Sequence, residues 1–216
     1  MKKFKFSQED KTNIKDAVAG LEKATAGELV LYFSRKSDKY PGAGWKFSSL
    51  VAAITVLIIG LMSYLWMLPA WLSPLFISVL VFSLMVLAYV LVYIMPNMKL
   101  SFTPAHVVSH RVLTKARDVF LQEEIFSTTD RIGILIYISE FEQKVVVLGD
   151  SGINSKIGKE DWKHIVDTII LGIKHGQVVQ GVINAVTICQ DLLLKHGFTN
   201  VEKADNELSD EIRIEE

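Results

Sequence analysis

Glu28, Asp130 and Asp150 are carboxylates set at the ends of apolar, β-rich runs, a placement that oxygen-ligand chemistry would need. Glu28 begins the run 28–34 (ELVLYFS), Asp130 precedes 133–139 (GILIYIS), and Asp150 follows 144–148 (KVVVL). Runs of this composition, bounded by polar residues, read as strands. If the first runs parallel to the second through a right-handed crossover and the third returns antiparallel, all three carboxylates fall at one sheet edge. Such oxygen ligands would suit Mg²⁺ or Ca²⁺. Three solvated carboxylates at element boundaries would give the same pattern, and Arg131 stands beside Asp130 to neutralise it.

Other constellations point to plainer roles. Gly149, Asp150, Ser151 and Gly152 spell the sequence around the nucleophile of chymotrypsin-like proteases, where Ser151 would need a histidine base and a buried aspartate. That fold needs two β-barrels, and this chain offers about three strands before it turns helical, so the tetrad reads as a turn. His106 and His110 are spaced to share one helix face and could ligate one metal. No Glu follows His106, and two interfacial polar residues explain the pair as well. Lys163, His164, Lys174 and His175 read as a solvated helix face rather than a phosphate clamp. Cys189 is the sole cysteine, which excludes an intrachain disulfide or a cysteine metal site; among Val186, Ile188 and Leu192 it reads as a small core residue. No sequence motif requires a cofactor.

The elements around these residues follow from periodicity and caps. Ser7 reads as an N-cap with Asp10 three residues on, and Ile14, Val18 and Leu21 recur at helical spacing to about Ala24. Residues 35–46, with Pro41, Gly42 and Gly44, read as a linker. Thr103 and Pro104 form an N-cap and N1 pair for a helix whose stripe runs from Val107 through Val112 and Ala116 toward Phe126. Residues 140–143 join the second and third strands as a hairpin. Two helices, about 159–174 and 177–196, carry apolar faces that include Trp162, Ile165 and Ile169 on one and Val178, Val182 and Val186 on the other. Residues 200–216 are rich in Asp and Glu and read as an acidic disordered tail.

Between these pieces lie two uncharged apolar stretches, 50–68 and 71–95, separated by Pro69 and Ala70. At about 1.5 Å per residue the first spans roughly 28 Å, close to a bilayer's hydrocarbon thickness. The pair is expected to form a transmembrane hairpin (48–96) inserted into one discontinuous α/β domain (1–47 and 97–199). Arg35, Lys36, Lys39, Lys46, Lys99 and Arg111 flank it and none sits at its turn, so both termini are expected in the cytoplasm. Trp45, Trp66 and Trp71 suit the membrane interfaces. Residues 1–7 begin basic but turn polar, unlike a signal peptide, so nothing visible exports the first segment and the cell (inner) membrane is the expected location. No acidic or basic residue lies within the spans, which argues against ion transport by this chain alone. A chain of 216 residues leaves enough soluble sequence for one domain, and a net charge of −1 offers no nucleic-acid footprint.

The soluble pieces resemble the TPM domain, found in membrane-linked bacterial proteins and in a photosystem II repair protein of thylakoids. Residues 21–30 (LEKATAGELV) look like that family's first helix and strand, and 130–138 (DRIGILIYI) like its central glycine-containing strand. Gly149 to Ile153, Trp162, Gly181 and 189–193 (CQDLL) follow its C-terminal pattern, so that the resemblance covers about 7–34 and 103–197. It implies an α/β/α sandwich around a small mixed sheet. In some members it implies divalent-cation binding and a proposed acid phosphatase activity; in others, assembly, repair or modulation of membrane complexes. Many members place the domain outside the cytoplasm, whereas this chain is read as facing the cytosol, where a calcium site would need unusually tight binding.

The leading expectation is therefore a membrane-anchored, non-enzymatic module that binds a protein partner in assembly or quality control of a membrane complex. One alternative is a divalent-cation-dependent phosphatase acting on phosphate esters or phosphoproteins through Glu28, Asp130 and Asp150. Another is a structural subunit that acts through its hairpin.

Overall fold

The structure is a computed structural model that describes residues 4, 6–69, 71–128, 130–199, 208, 209 and 211–215. It divides into two compact units, one made of Met1–Ser37 with Ser109–Glu216 and the other of Asp38–Val108.

The first unit is α/β with a four-stranded mixed sheet. Its strands are β1 (Glu28–Ser34), β2 (Gly133–Ser139), β3 (Lys144–Gly149) and β4 (Arg213–Glu215), in the order β3-β2-β1-β4. β1 and β2 pair in parallel from Glu28 opposite Gly133 to Ser34 opposite Ser139, and β3 runs antiparallel to β2. All seven residues of β2 are buried, as a strand covered on both faces must be. Because side chains alternate, Ile134, Ile136 and Ile138 join Leu29, Leu31 and Phe33 on one face. There they meet helices α1 (Gln8–Ala24), α7 (Lys159–Lys174) and α8 (Val178–Lys195). Val30, Leu135 and Tyr137 are buried on the other face, where α5 (Ala105–Gln122) contributes Val112, Ala116 and Val119. Each such aliphatic side chain contributes about 1.5–3 kcal/mol by burial.

α1 begins as its cap predicts: Ser7 Oγ accepts from Asp10 N at 3.0 Å, and Asp10 Oδ2 accepts from Ser7 N at 2.8 Å. α5 stops at Gln122; Glu124 takes a left-handed conformation (φ 52°) and a 3₁₀ turn at Ile125–Ser127 follows, so the helix does not run on to Phe126. The tetrad 149–152 is no simple turn either, because α6 (Ser151–Asn154) starts inside it. α7 and α8 cross where Gly172 and Gly181 meet, a contact too close for a side chain at either position.

The second unit holds α2 (Pro41–Tyr64), α3 (Pro74–Ile94) and the short α4 (Asn97–Ser101). The expected linker is shorter than residues 35–46, because Pro41 takes the first helical position, where its missing N–H costs nothing, and Pro41 to Gly44 form the first turn of α2. Gly44 lies against the Tyr89 ring, and Trp45 packs on the same ring at 5.2 Å between centroids. α2 also ends before Pro69, at Tyr64, where Trp66 adopts φ 57°. α3 starts after Ser73, whose hydroxyl accepts from Phe76 N at 3.3 Å beside Pro74. The reversal is thus wider than the expected Pro69 and Ala70; Ala70 itself lies outside the described residues.

Part of the expected acidic tail is ordered into the sheet: Arg213–Glu215 forms β4, parallel to Tyr32–Ser34. Residues 200–207, 210 and 216 lie outside the described residues. Ile212 packs against the core cluster, which gives the segment an apolar anchor that its overall acidity conceals.

Gly133 tests how closely the sheet is built. A Cβ there would fall 2.1 Å from the Ile125 carbonyl oxygen, which is backbone and cannot swing away. Gly133→Ala should lower unfolding stability by about 1–3 kcal/mol or more, the range for overpacking. Gly20→Ala, at a helical site with nothing within 4 Å, should raise it by about 0.5–1 kcal/mol. Denaturant unfolding of both variants in detergent checks the pair; equal shifts would contradict the packing described.

Candidate functional site

The topology does carry Glu28, Asp130 and Asp150 to the same end of the sheet, since Glu28 lies opposite Gly133 and Ile134 opposite Gly149. Their surroundings differ. Asp130 is exposed, while Glu28 and Asp150 are buried. Asp150 caps α6: its Oδ1 accepts from Ser151 N at 2.6 Å, and its Oδ2 lies 2.9 Å from Arg131 Nε. Arg131 also donates to the Phe126 carbonyl at 3.1 Å, in a left-handed conformation (φ 57°) that aims it into this turn. Glu28 Oε2 accepts from Leu208 N at 3.3 Å. Glu28 therefore answers a backbone donor, and Asp150 caps α6 through Oδ1. Among the described residues Asp150 Oδ2 has ion-pair contact with Arg131 but no hydrogen bond, and no three His, Cys, Asp or Glu side chains converge on a point that could hold a metal.

The remaining sequence candidates are dispersed. Ser151 is exposed as the first residue of α6, and His106 and His110 are exposed on α5. Lys163, His164, Lys174 and His175 are exposed along and after α7. Cys189 is fully buried in α8, where burial pushes its thiol up to about 12, far from any reactive thiolate.

The denser polar chemistry sits at the opposite edge, past the carboxyl ends of β1 and β2, the place where parallel sheets hold ligands. Both strands end alike: Tyr32 and Ser34 stand opposite Tyr137 and Ser139. The two tyrosine rings stack with centroids 5.8 Å apart. Ser37 Oγ lies 3.0 Å from the Tyr137 hydroxyl and donates to Ser139 Oγ at 3.1 Å, and Ser139 Oγ donates to Glu142 Oε2. Ser37 has one hydroxyl proton and gives it to Ser139, so these hydroxyls form a chain from Tyr137 through Ser37 and Ser139 to Glu142. The other Glu142 oxygen accepts from Ser37 N at 3.0 Å. Burial pushes the Tyr137 phenol above its ordinary value, opposed by the Ser34 and Ser37 hydroxyls.

β4 completes this edge. Glu215 Oε2 accepts from Ser34 Oγ at 2.7 Å and Oε1 from Lys115 Nζ at 2.9 Å, while Arg213 Nε donates to Glu123 Oε2 at 2.9 Å. Beside them opens a cleft of about 360 Å³ lined by Phe4, Phe6, Phe33, Arg35, Glu140 and Ile214, among others. The carboxylates of the network are held by donors, and its hydroxyls point in sequence onto one of them. The arrangement offers hydrogen-bonding groups beside a partly aromatic wall. Sequence reading passed over it, although the repeated Tyr-x-Ser ending of the two strands was a visible signal.

Burial pushes Glu215 up, yet the Ser34 and Lys115 bonds prevail and hold its carboxyl below the ordinary value. Lys115 is held above its own ordinary value by its bond to Glu215, against the effect of burial. The glutamate's contribution is thus present above its ordinary 4.5 and fades as pH falls through the lowered folded value. The lysine's is complete below 10.5 and fades as pH rises through the raised value. Amide protection of 213–215, corrected for intrinsic exchange, should be flat between those limits and drop outside both. Glu215→Gln should weaken it and remove the acid-side drop; protection that ignores pH would mean the pair does not hold the strand.

No family model matches the sequence, and no curated protein matches it. Among solved structures, the chain is similar to the NMR structure of the BA42 protein from the psychrophilic bacterium Bizionia argentinensis, with a TM-score of 0.61 and 19% sequence identity over 99% of each chain. At that identity the likeness establishes the fold, an α/β architecture.

Proposed function

We propose that the chain is a membrane-anchored TPM-domain binding module: α2 and α3 cross the bilayer, and the α/β unit acts without catalysis in assembly or quality control of a membrane protein complex. The observation that carries this reading is the outer surface of the two helices. Leu57 is 72% exposed, Leu75 76% and Phe82 67%, within a nearly continuous apolar covering. Soluble monomers rarely expose apolar patches above a few hundred Å². By length and composition α8 is also apolar enough to cross a membrane. Its Val182, Val186, Cys189 and Leu193 are instead buried within the α/β unit, which supports two spans rather than three. The basic residues flanking α2 and α3 support cytoplasmic termini.

The anchored reading predicts that the protein stays with the membrane pellet after an alkaline carbonate wash. Met67→Cys, near the turn, should react with an impermeant maleimide on intact cells, whereas Lys39→Cys should react only after permeabilisation; the buried native Cys189 gives little background. Recovery in the soluble fraction would overturn the anchoring, and the reverse labelling pattern would invert the orientation. Mg²⁺ or Ca²⁺ should leave the melting temperature unchanged, and a rise abolished by Asp150→Asn would restore the cation-dependent phosphatase.

A further inference from the structure

The outer edge of β1 is covered by a segment of the chain's own C-terminal sequence, and its mode of attachment is that of a ligand. Leu208 N reaches Glu28 Oε2 at the start of the strand, and Arg213–Glu215 pairs in parallel with Tyr32–Ser34 at its end. Only three residues form the ladder. The side chains alternate in kind and destination: Ile212 and Ile214 go to the apolar side, Ile214 into the cleft beside Phe4, Phe6 and Phe33. Arg213 goes to Glu123, and Glu215 to Lys115 and Ser34. Backbone pairing for affinity with alternate side chains in separate receptors is how a sheet edge binds an extended peptide.

We propose that this edge is a peptide-docking site. Its partner is an extended segment of a second protein that adds parallel to β1 with the order apolar, basic, apolar, acidic, and residues 212–215 are a resident strand that occupies the site in cis until displaced. Three features argue for exchange. Ile214 remains 43% exposed, so the seat is not closed over. Both ion pairs are partly open to solvent, where such pairs hold weakly. The first half of the edge is guarded separately, Glu22 Oε1 accepting from Leu29 N at 3.0 Å, which confines pairing to Tyr32–Ser34. Charge complementarity selects the partner: the seat offers Glu123 to a base and Lys115 with the Ser34 hydroxyl to an acid two residues on, with an aromatic wall for the apolar residue between them.

This deepens the binding-module reading by naming the class of partner and rests on it, yet the two fail separately. Fractionation tests the anchor, and peptide exchange tests the edge.

The experiment uses the full chain in detergent and a fluorescein-labelled peptide of the sequence of residues 208–216, read by anisotropy. In the wild type the tethered strand competes at an effective concentration of order millimolar, so a peptide of about 10 µM intrinsic affinity is weakened roughly 100-fold. The release variant, Arg213→Glu with Glu215→Lys, should bind the peptide at least ten times more tightly than wild type. A peptide with its basic and acidic residues exchanged should show no such gain, and adding Lys115→Glu to the release variant should abolish it. Equal affinity for wild type and release variant, or equal binding of the exchanged peptide, overturns the proposal. So does a release variant that forms a dimer which the peptide does not dissolve, because the edge would then serve a second copy. Should the release variant fail to fold, Ser34→Cys with Glu215→Cys replaces it. Oxidised, the strand is locked and the peptide must be excluded; reduced, it must bind, and binding indifferent to oxidation overturns the proposal.

Discussion

The structure depends on the parallel pairing of β1 with β2, two strands that lie far apart in sequence. Parallel neighbours cannot be joined by a tight turn, so the chain must leave at Ser34 and come back to Gly133 at the other end of the ladder. Closing so long a loop has an entropic cost that grows only slowly with length, which is why a whole second unit can stand between the strands. What offsets that cost is burial: every residue of β2 is enclosed, with three helices on one face and α5 on the other. The glycine at the head of β2 allows the 3₁₀ turn at Ile125 to lie directly on the strand. These features all follow from putting those two runs side by side.

Much of this was legible in the chain. The runs 28–34 and 133–139 carry β-branched and aromatic residues throughout, and Ser7 with Asp10 announces a helix start, so strand and helix positions followed from local chemistry. The antiparallel return of the third strand followed from the short join at 140–143, whereas the parallel pairing of the first two entered as a supposition that the register bears out. What escaped reading was set by competition between signals. Pro41, Gly42 and Gly44 suggested a linker, yet a proline at the first helical position favours the helix, and Gly44 meets an aromatic ring that only the tertiary structure supplies. Glu211 to Glu215 alternates acid, Ile, Arg, Ile, acid with the period of a strand, but the acidity of its surroundings masked the two isoleucines.

The candidate site shows the same limit more sharply. Sequence order can bring Glu28, Asp130 and Asp150 to one edge, but it cannot say what each oxygen already holds. Asp150 is occupied by the start of α6 and by Arg131, and Glu28 by the backbone of Leu208. Buried carboxylates are retained where they answer donors that the fold would otherwise leave unmet. The opposite edge was overlooked because its members come from four separate stretches of chain: Tyr32, Ser34 and Ser37 at the end of β1, Tyr137, Ser139 and Glu142 at the end of β2, Lys115 on α5 and Glu215 in β4.

The clasp at Ser37 also has a mechanical side. Ser37 is the last residue of the α/β unit before the chain passes into α2, and it is gripped through both its amide and its hydroxyl by Glu142, Ser139 and Tyr137. Tension on the connection loads these bonds before it reaches the β1 ladder. The clasp therefore acts as a strain relief: part of any pull on the connection is met by hydrogen bonds that lie outside the ladder fixing the strand's register.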